Sequence, residues 1–171
     1  MGPLEYELEQ IPVSAADGFP NNERCPVLVY RGAFGSQVTA GTIEKRFAEH
    51  GWSNGWRAGV YAVHHYHSTA HEVLGCFAGS AEIQVGGPSG PTLWLRAGDV
   101  VVIPAGVAHK RLTASPDFCV VGAYAEGRSY DMNYGGSSEQ REASNAIGAL
   151  PLPSADPVAG ASGPLLISWR A

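Results

Sequence analysis

The chain has 171 residues, with 16 Asp and Glu against 11 Lys and Arg for a formal net charge of -5, and its basic residues nowhere cluster, which excludes nucleic acid as its main partner. No stretch approaches the roughly 20 apolar residues of a membrane span, and the three cysteines, Cys25, Cys76 and Cys119, offer neither an even count nor the close spacing of a disulfide framework or thiolate zinc site. A chain of this length buries about 70% of the surface its unfolded form exposes, so one soluble, cytoplasmic domain is expected.

Residues 1–26 mix Glu, Pro, Asn and Asp with little periodicity and contain the turn cluster Gly18-Phe19-Pro20-Asn21-Asn22, so they read as an irregular N-terminal arm. A single domain follows over 27–171, opening with a short strand at Val27 to Tyr30. Thr42 can cap a helix in which Ile43 and Phe47 share one face, and Gly51 ends it. The glycine-rich stretch 51–59 reads as a loop, whose Trp52 and Trp56 either cover a barrel mouth or subunit contact or simply roof the core. Short β segments then alternate with turn signals over the barrel core, about 60–125. Ala81, Ile83 and Val85 alternate with polar residues, and Leu93 to Leu95 restart a strand after a Gly/Pro-rich turn. Val100 to Ile103 is all apolar, as in a strand covered on both sides, and Pro104 stops it. Phe118 to Tyr124 adds another strand. Residues 137–147 read as a polar surface helix, and Leu165 to Trp169 as a final strand.

Four of the six histidines and a glutamate fall in HHYHSTAHE, residues 64–72. On a strand, His65 and His67 point to one face with Cβ atoms about 7 Å apart, within reach of a single ion. The next ligand is contested between His71 and Glu72. An unbroken strand aligns His71 with His67, whereas a bend or bulge at Ser68-Thr69-Ala70 returns Glu72 to the metal face. Glu72 is favoured, because Leu74, Cys76 and Ala78 then share its side. In GDVVVIPAGVAHK, residues 98–110, a strand, a tight turn and a return strand would aim His109 at the same point. Three neutral imidazoles and one carboxylate around a divalent ion leave a net charge near +1, which suits an anionic or enolisable oxygen ligand. By parity, Tyr61 shares the face of His65 and Arg111 that of His109. Both are candidate substrate-binding side chains, Arg111 as a forked donor to a carboxylate. His50 and His64 read as structural or surface histidines, and His71 as a hydrogen-bonding non-ligand.

The motifs His65-x-His67-x4-Glu72-x6-Gly79 and Gly98-x5-Pro104-x-Gly106-x2-His109 resemble the two cupin motifs, with germin-like spacing. Together with YRGAF and PLPSADPVAG they make most of the chain similar to the YjlB-like group of single-domain cupins. The resemblance implies an all-β double-stranded β-helix, or jelly-roll barrel, with one or two short peripheral helices, and a homodimer. It carries His65, His67, Glu72 and His109 onto the roles of ligands to one divalent transition metal: iron, manganese, nickel, copper or zinc. The Asn that often stands four positions after the last of these histidines is Thr113 here. Cupins with these ligands include oxidases, decarboxylases, dioxygenases and isomerases. The expectation is a metalloenzyme acting on a small carboxylate or enolisable, oxygen-rich substrate. The alternative is a non-catalytic, metal-dependent module that binds or stores a small ligand.

Overall fold

An all-apolar strand has to be covered twice, because its side chains alternate between two faces. Val100, Val101, Val102 and Ile103 are all buried, and the computed structural model, which describes residues 2–169, shows what covers each side. In chain order the elements are β1 (Glu7–Val13), β2 (Asn22–Arg31), α1 (Ala40–Glu49), β3 (Trp52–Ala58), β4 (Glu72–Ala78), β5 (Ser80–Val85), β6 (Thr92–Arg96), β7 (Val100–Ile103), β8 (His109–Ala114), β9 (Cys119–Ala125), α2 (Ser137–Ala149) and α3 (Leu165–Ser168). One sheet has the order β1-β2-β7-β4-β9-β3 and the other β6-β5-β8. β4 pairs with β9 and β5 pairs with β8, both antiparallel. The consecutive strands β4 and β5 thus lie against the consecutive strands β8 and β9, one pair in each sheet, which is the winding of a double-stranded β-helix.

Alternation along the strands sorts the core into two layers. Val27, Val29, Leu74, Val101 and Ile103 turn inward and meet Ala81, Ile83, Val85, Leu93 and Leu95 from the smaller sheet. Leu28, Tyr30, Val73, Val100 and Val102 turn outward and are covered by Ile43 and Phe47 of α1, by Trp52, and by Leu165 and Trp169 near the C-terminus. Strand β7 is therefore sandwiched, as its composition demands. Among the described residues, no helix is long and apolar enough to cross a membrane.

The structure corrects four local expectations. The first 26 residues are not an irregular arm. Strand β1 pairs with β2, and β2 begins at Asn22 and pairs with β7, so the large sheet starts well before residue 60. Residues 52–58 are strand β3 and not a loop: Trp52 is opposite Ala125 and Trp56 opposite Gly122, with a register shift between them that accommodates Asn54 at positive φ. Trp52 is buried in the outer core layer and donates its indole N–H to the Ala155 carbonyl, so it takes the core role and only Trp56 reaches the barrel mouth. Helix α1 starts at Ala40 and is capped by Thr39, whose hydroxyl accepts from the Thr42 amide; Thr42 is the recipient of the cap and not the cap itself. Residues 165–168 form a helical turn, α3, because Pro164 presets a helical φ and the Asp156 carboxylate accepts the Leu165 amide.

The turn after β7 has one tightly determined residue. Gly106 has φ +95, and a Cβ there would lie 2.4 Å from the Asn21 carbonyl oxygen. Its amide donates to the His67 carbonyl, so this turn fixes where the histidine segment runs. We expect Gly106→Ala to cost about 2 kcal/mol or more of folding stability, read as a lowered denaturation midpoint; an unchanged midpoint would show that the turn is not constrained in this way.

Candidate metal centre

His65 and His109 are joined by a two-way backbone bridge, each amide donating to the other's carbonyl. His65 and His67 thus sit on an irregular segment beside β8, and not on a regular strand as expected, yet their side chains still converge. The ligand-capable nitrogens of His65, His67 and His109 all lie within 4.8 Å of one another, and all three residues are buried. After His67 the chain bends at Ser68 and Thr69 and enters β4 at Glu72. That bend turns the Glu72 carboxylate inward with Leu74. Its Oε1 lies 3.2 Å from His109 Nε2 and its Oε2 3.5 Å from His67 Nε2. His71 points the other way. Its Nδ1 accepts the Ala105 amide and its ring packs on Trp169, centroids 4.8 Å apart.

The backbone decides which histidine nitrogen faces the centre. Nδ1 of His65 is 2.8 Å from the Val63 carbonyl, that of His67 2.7 Å from the Asp131 carbonyl, and that of His109 3.1 Å from the Val107 carbonyl. A carbonyl can only accept, so each Nδ1 carries hydrogen, and in the neutral rings each Nε2 lone pair is free. Three lone pairs and a carboxylate, with outer nitrogens tied to carbonyls, are the donor set of a transition-metal site. The residues therefore fit such an ion.

Charge is balanced locally. Burial alone would raise the Glu72 carboxyl, but the imidazoles of His67 and His109 hold it well below the usual carboxylate range. Burial would lower His67, and the charge and hydrogen bond of Glu72 outweigh it, so that ring is raised. His65 is pushed down to about 3 by burial and by the neighbouring His109, and burial takes His71 to about 4.

The cluster forms the floor of a cavity of about 220 Å³, whose walls include Trp56, Val60, Tyr61, Leu74, Tyr130 and Met132. Tyr61 lines it, with its ring edge-on to His65, centroids 5.3 Å apart. Arg111 does not. A register shift between β5 and β8 falls beside it, its Nε donates to the Val60 carbonyl, and it faces a separate shallow pocket with Ser115 and Phe118. Strand parity held at His109 but did not place the guanidinium in the cavity.

Several contacts of the site are not legible in the sequence, even where, as for Trp56, the residue itself stands out. Tyr124 stands opposite Glu72 on the β4–β9 ladder and donates its hydroxyl proton to Glu72 Oε2 at 2.7 Å. That hydroxyl in turn accepts the Trp56 indole N–H at 2.8 Å. Trp56 can lie over the sheet because its partner is Gly122; a Cβ there would come within 2.3 Å of the indole. Asp131 grips the decisive bend, its carboxylate accepting the Ser68 and Thr69 amides, the Ser68 hydroxyl and the Asn133 side chain. Each of these contacts depends on register or on a loop some 60 residues away.

No protein-family model matches the chain. It is 45% identical over 150 residues to the uncharacterized protein YjlB of Bacillus subtilis, covering 88% of this chain and 89% of that one. Among solved structures it is similar to an uncharacterized conserved protein with a double-stranded beta-helix domain from Klebsiella pneumoniae, at 17% identity and a TM-score of 0.39 over 75% of this chain and 81% of that one. It is also similar to procruciferin, an 11S globulin from Brassica napus, at 16% identity and a TM-score of 0.39 over 65% of this chain and only 22% of that one. Structural likenesses this distant assign no activity.

Two outcomes follow from this geometry. Tyr124→Phe removes the hydrogen bond that holds Glu72 Oε2 and should weaken metal affinity about tenfold or more, measured by competition with a chromophoric chelator; unchanged affinity would mean the carboxylate is held without it. In metal-free protein, His65 and His71 stay neutral in the fold near pH 5 while the unfolded chain protonates them below about 6.5. At these two rings the unfolded state then binds more protons, so together they lower stability on acidification, by on the order of 2 kcal/mol per ring between pH 7 and 5, a loss larger than the opposite contribution of the single raised ring, His67. Thermal melts across that range in the presence of chelator check this, and a flat profile would contradict it.

Proposed function

The chain belongs to the YjlB family and has the cupin double-stranded β-helix fold; from its site we propose that it is a metal-dependent enzyme acting on a small carboxylate or enolisable substrate. The observation that carries this reading is the convergence of three histidine Nε2 atoms, their tautomers set by backbone carbonyls, with the buried Glu72 carboxylate. His65, His67, Glu72 and His109 would hold one divalent ion from the set iron, manganese, nickel, copper and zinc. Such an ion supplies Lewis acidity toward an oxygen of the substrate, with redox capacity if it is iron, manganese or copper.

The chain's own residues do the rest. Trp56 and Tyr124 hold the Glu72 carboxylate by successive hydrogen bonds, and burial keeps the Tyr124 hydroxyl proton in place by raising its pKa well above the usual phenol value. Asp131 fixes the tautomer and direction of His67 through its carbonyl. The four residues of the floor are buried. Among the described lining residues there is no Lys, Arg, Asp or Cys, so the proton-bearing groups open to a substrate are Glu72, the Tyr61 and Tyr130 hydroxyls, the substrate itself or a bound water.

Elemental analysis of untagged protein grown with all first-row metals supplied should give about one equivalent of a single metal, lost in His67→Ala. Folded protein that neither contains nor takes up metal would overturn the reading. For turnover, small acids are screened for stabilisation of the metal-loaded protein and then for consumption. Product formation that is abolished in Glu72→Gln is the expected result. Stabilisation without any consumption would instead make the chain a metal-dependent binding module.

A further inference from the structure

Above the His–Glu floor the cavity is walled by apolar and aromatic groups, and its inner polar hydrogens are already used, the Tyr61 and Tyr130 hydroxyls standing out at the exposed mouth. The Trp56 N–H is given to the Tyr124 hydroxyl, and the Tyr124 O–H to Glu72. No Lys, Arg, Asn, Gln, Ser or Thr lines the cavity among the described residues, and the Arg111 guanidinium lies in the neighbouring pocket. A sugar, a phosphate ester or a dicarboxylate entering this space would leave hydroxyls or a second negative charge without partners. Charge points the same way. A divalent ion with three neutral imidazoles and one carboxylate carries about +1, enough for one anionic oxygen group.

Two rings are left open at the mouth. Tyr61 is 65% exposed and stands against His65; Tyr130 is 43% exposed, stands 5.1 Å from His67 and stacks on Tyr124 at 4.5 Å with an interplanar angle of 20°. Each therefore extends the cavity wall outward beside a metal-facing histidine, and a flat body resting against them would bury exposed ring surface.

Resting on the metal-centre reading above, we propose that the substrate is a small monoanion with a flat apolar body, an aryl or conjugated enol or monocarboxylic acid. Its single oxygen-bearing head reaches the histidine cluster and its body lies against Tyr61 and Tyr130. This narrows the oxygen-rich class read from the ligand set: the oxygens belong at one end only.

The test uses the full chain loaded with cobalt(II), whose visible absorption reports both uptake and a change of ligands, with intrinsic tryptophan fluorescence as a second readout. Three probes are titrated: benzohydroxamate, acetohydroxamate, which has the same head without the ring, and malonate, a dianion with no apolar body. Benzohydroxamate should bind about tenfold or more tighter than acetohydroxamate, and malonate more weakly than benzohydroxamate. In the Tyr61→Ala/Tyr130→Ala double variant, which changes two exposed rings, the preference for the phenyl group should shrink to within about threefold while acetohydroxamate binding holds. Malonate binding as tightly as benzohydroxamate, no phenyl preference, or a preference that survives the double variant would each overturn the proposal. Failure to take up cobalt at all, seen before any probe is added, would overturn the metal-centre reading and this inference with it, so the two failures are told apart.

Discussion

The site is organised by one requirement: a carboxylate that is 2% exposed needs positive charge and hydrogen bonds close by. Among the described residues, no Lys or Arg pairs with Glu72. It has His67 and His109 on the inner side and the Tyr124 hydroxyl on the outer. Without metal, the balancing charge is a proton, which is why His67 is raised while Glu72 is lowered. A bound cation supplies the same balance and expels that proton. The buried carboxylate thus makes the pocket a receptor for positive charge, and the three fixed tautomers set what kind of cation suits it.

That arrangement reaches outward through the fold. Glu72 faces inward only because the chain bends at Ser68 and Thr69, and the bend is clamped by Asp131, whose carbonyl also orients His67. One loop residue therefore holds both the register of the carboxylate and the direction of an imidazole. On the other side, the Gly106 amide donates to the His67 carbonyl, and His109 follows three residues later to bridge with His65. The rigid part beneath is the sandwiched strand β7, paired with β2 and β4, from which the Pro104 turn is launched. A site with this bracing tolerates little displacement, as metal geometry requires.

Much of this was legible along the chain. The period-2 alternation of 80–85 and the all-apolar run 100–103 identified strands and their burial, because a strand's two faces record their surroundings directly in residue type. The histidine spacing and the Pro-x-Gly turn before His109 identified the convergence point. Misreadings fell where local pattern and tertiary pairing disagree. The stretch 51–59 looks like a loop because of its three glycines, yet Gly55 lets its strand approach the Gly122 backbone, and Gly122 on β9 leaves room for the Trp56 ring. The N-terminal segment lacks alternation because β1 lies at a sheet edge, where most of its side chains are exposed or half-buried and composition records little.

The sequence by itself determined the strand-rich fold and the histidine segments that meet at the floor of the cavity, since these follow from side-chain alternation and the conformational demands of Pro and Gly; it left His71 and Glu72 in competition, and the bend at Ser68 and Thr69 turned Glu72 inward and His71 away. Only the tertiary structure decided that Tyr124 and Trp56 hold the carboxylate, that Asp131 clamps the bend, and that Arg111 is kept out of the cavity. Those depend on the register between β4 and β9, on a shift between β5 and β8, and on contacts across some 60 residues. Cross-strand register is fixed by the packing of the whole core, so no short stretch of sequence encodes it.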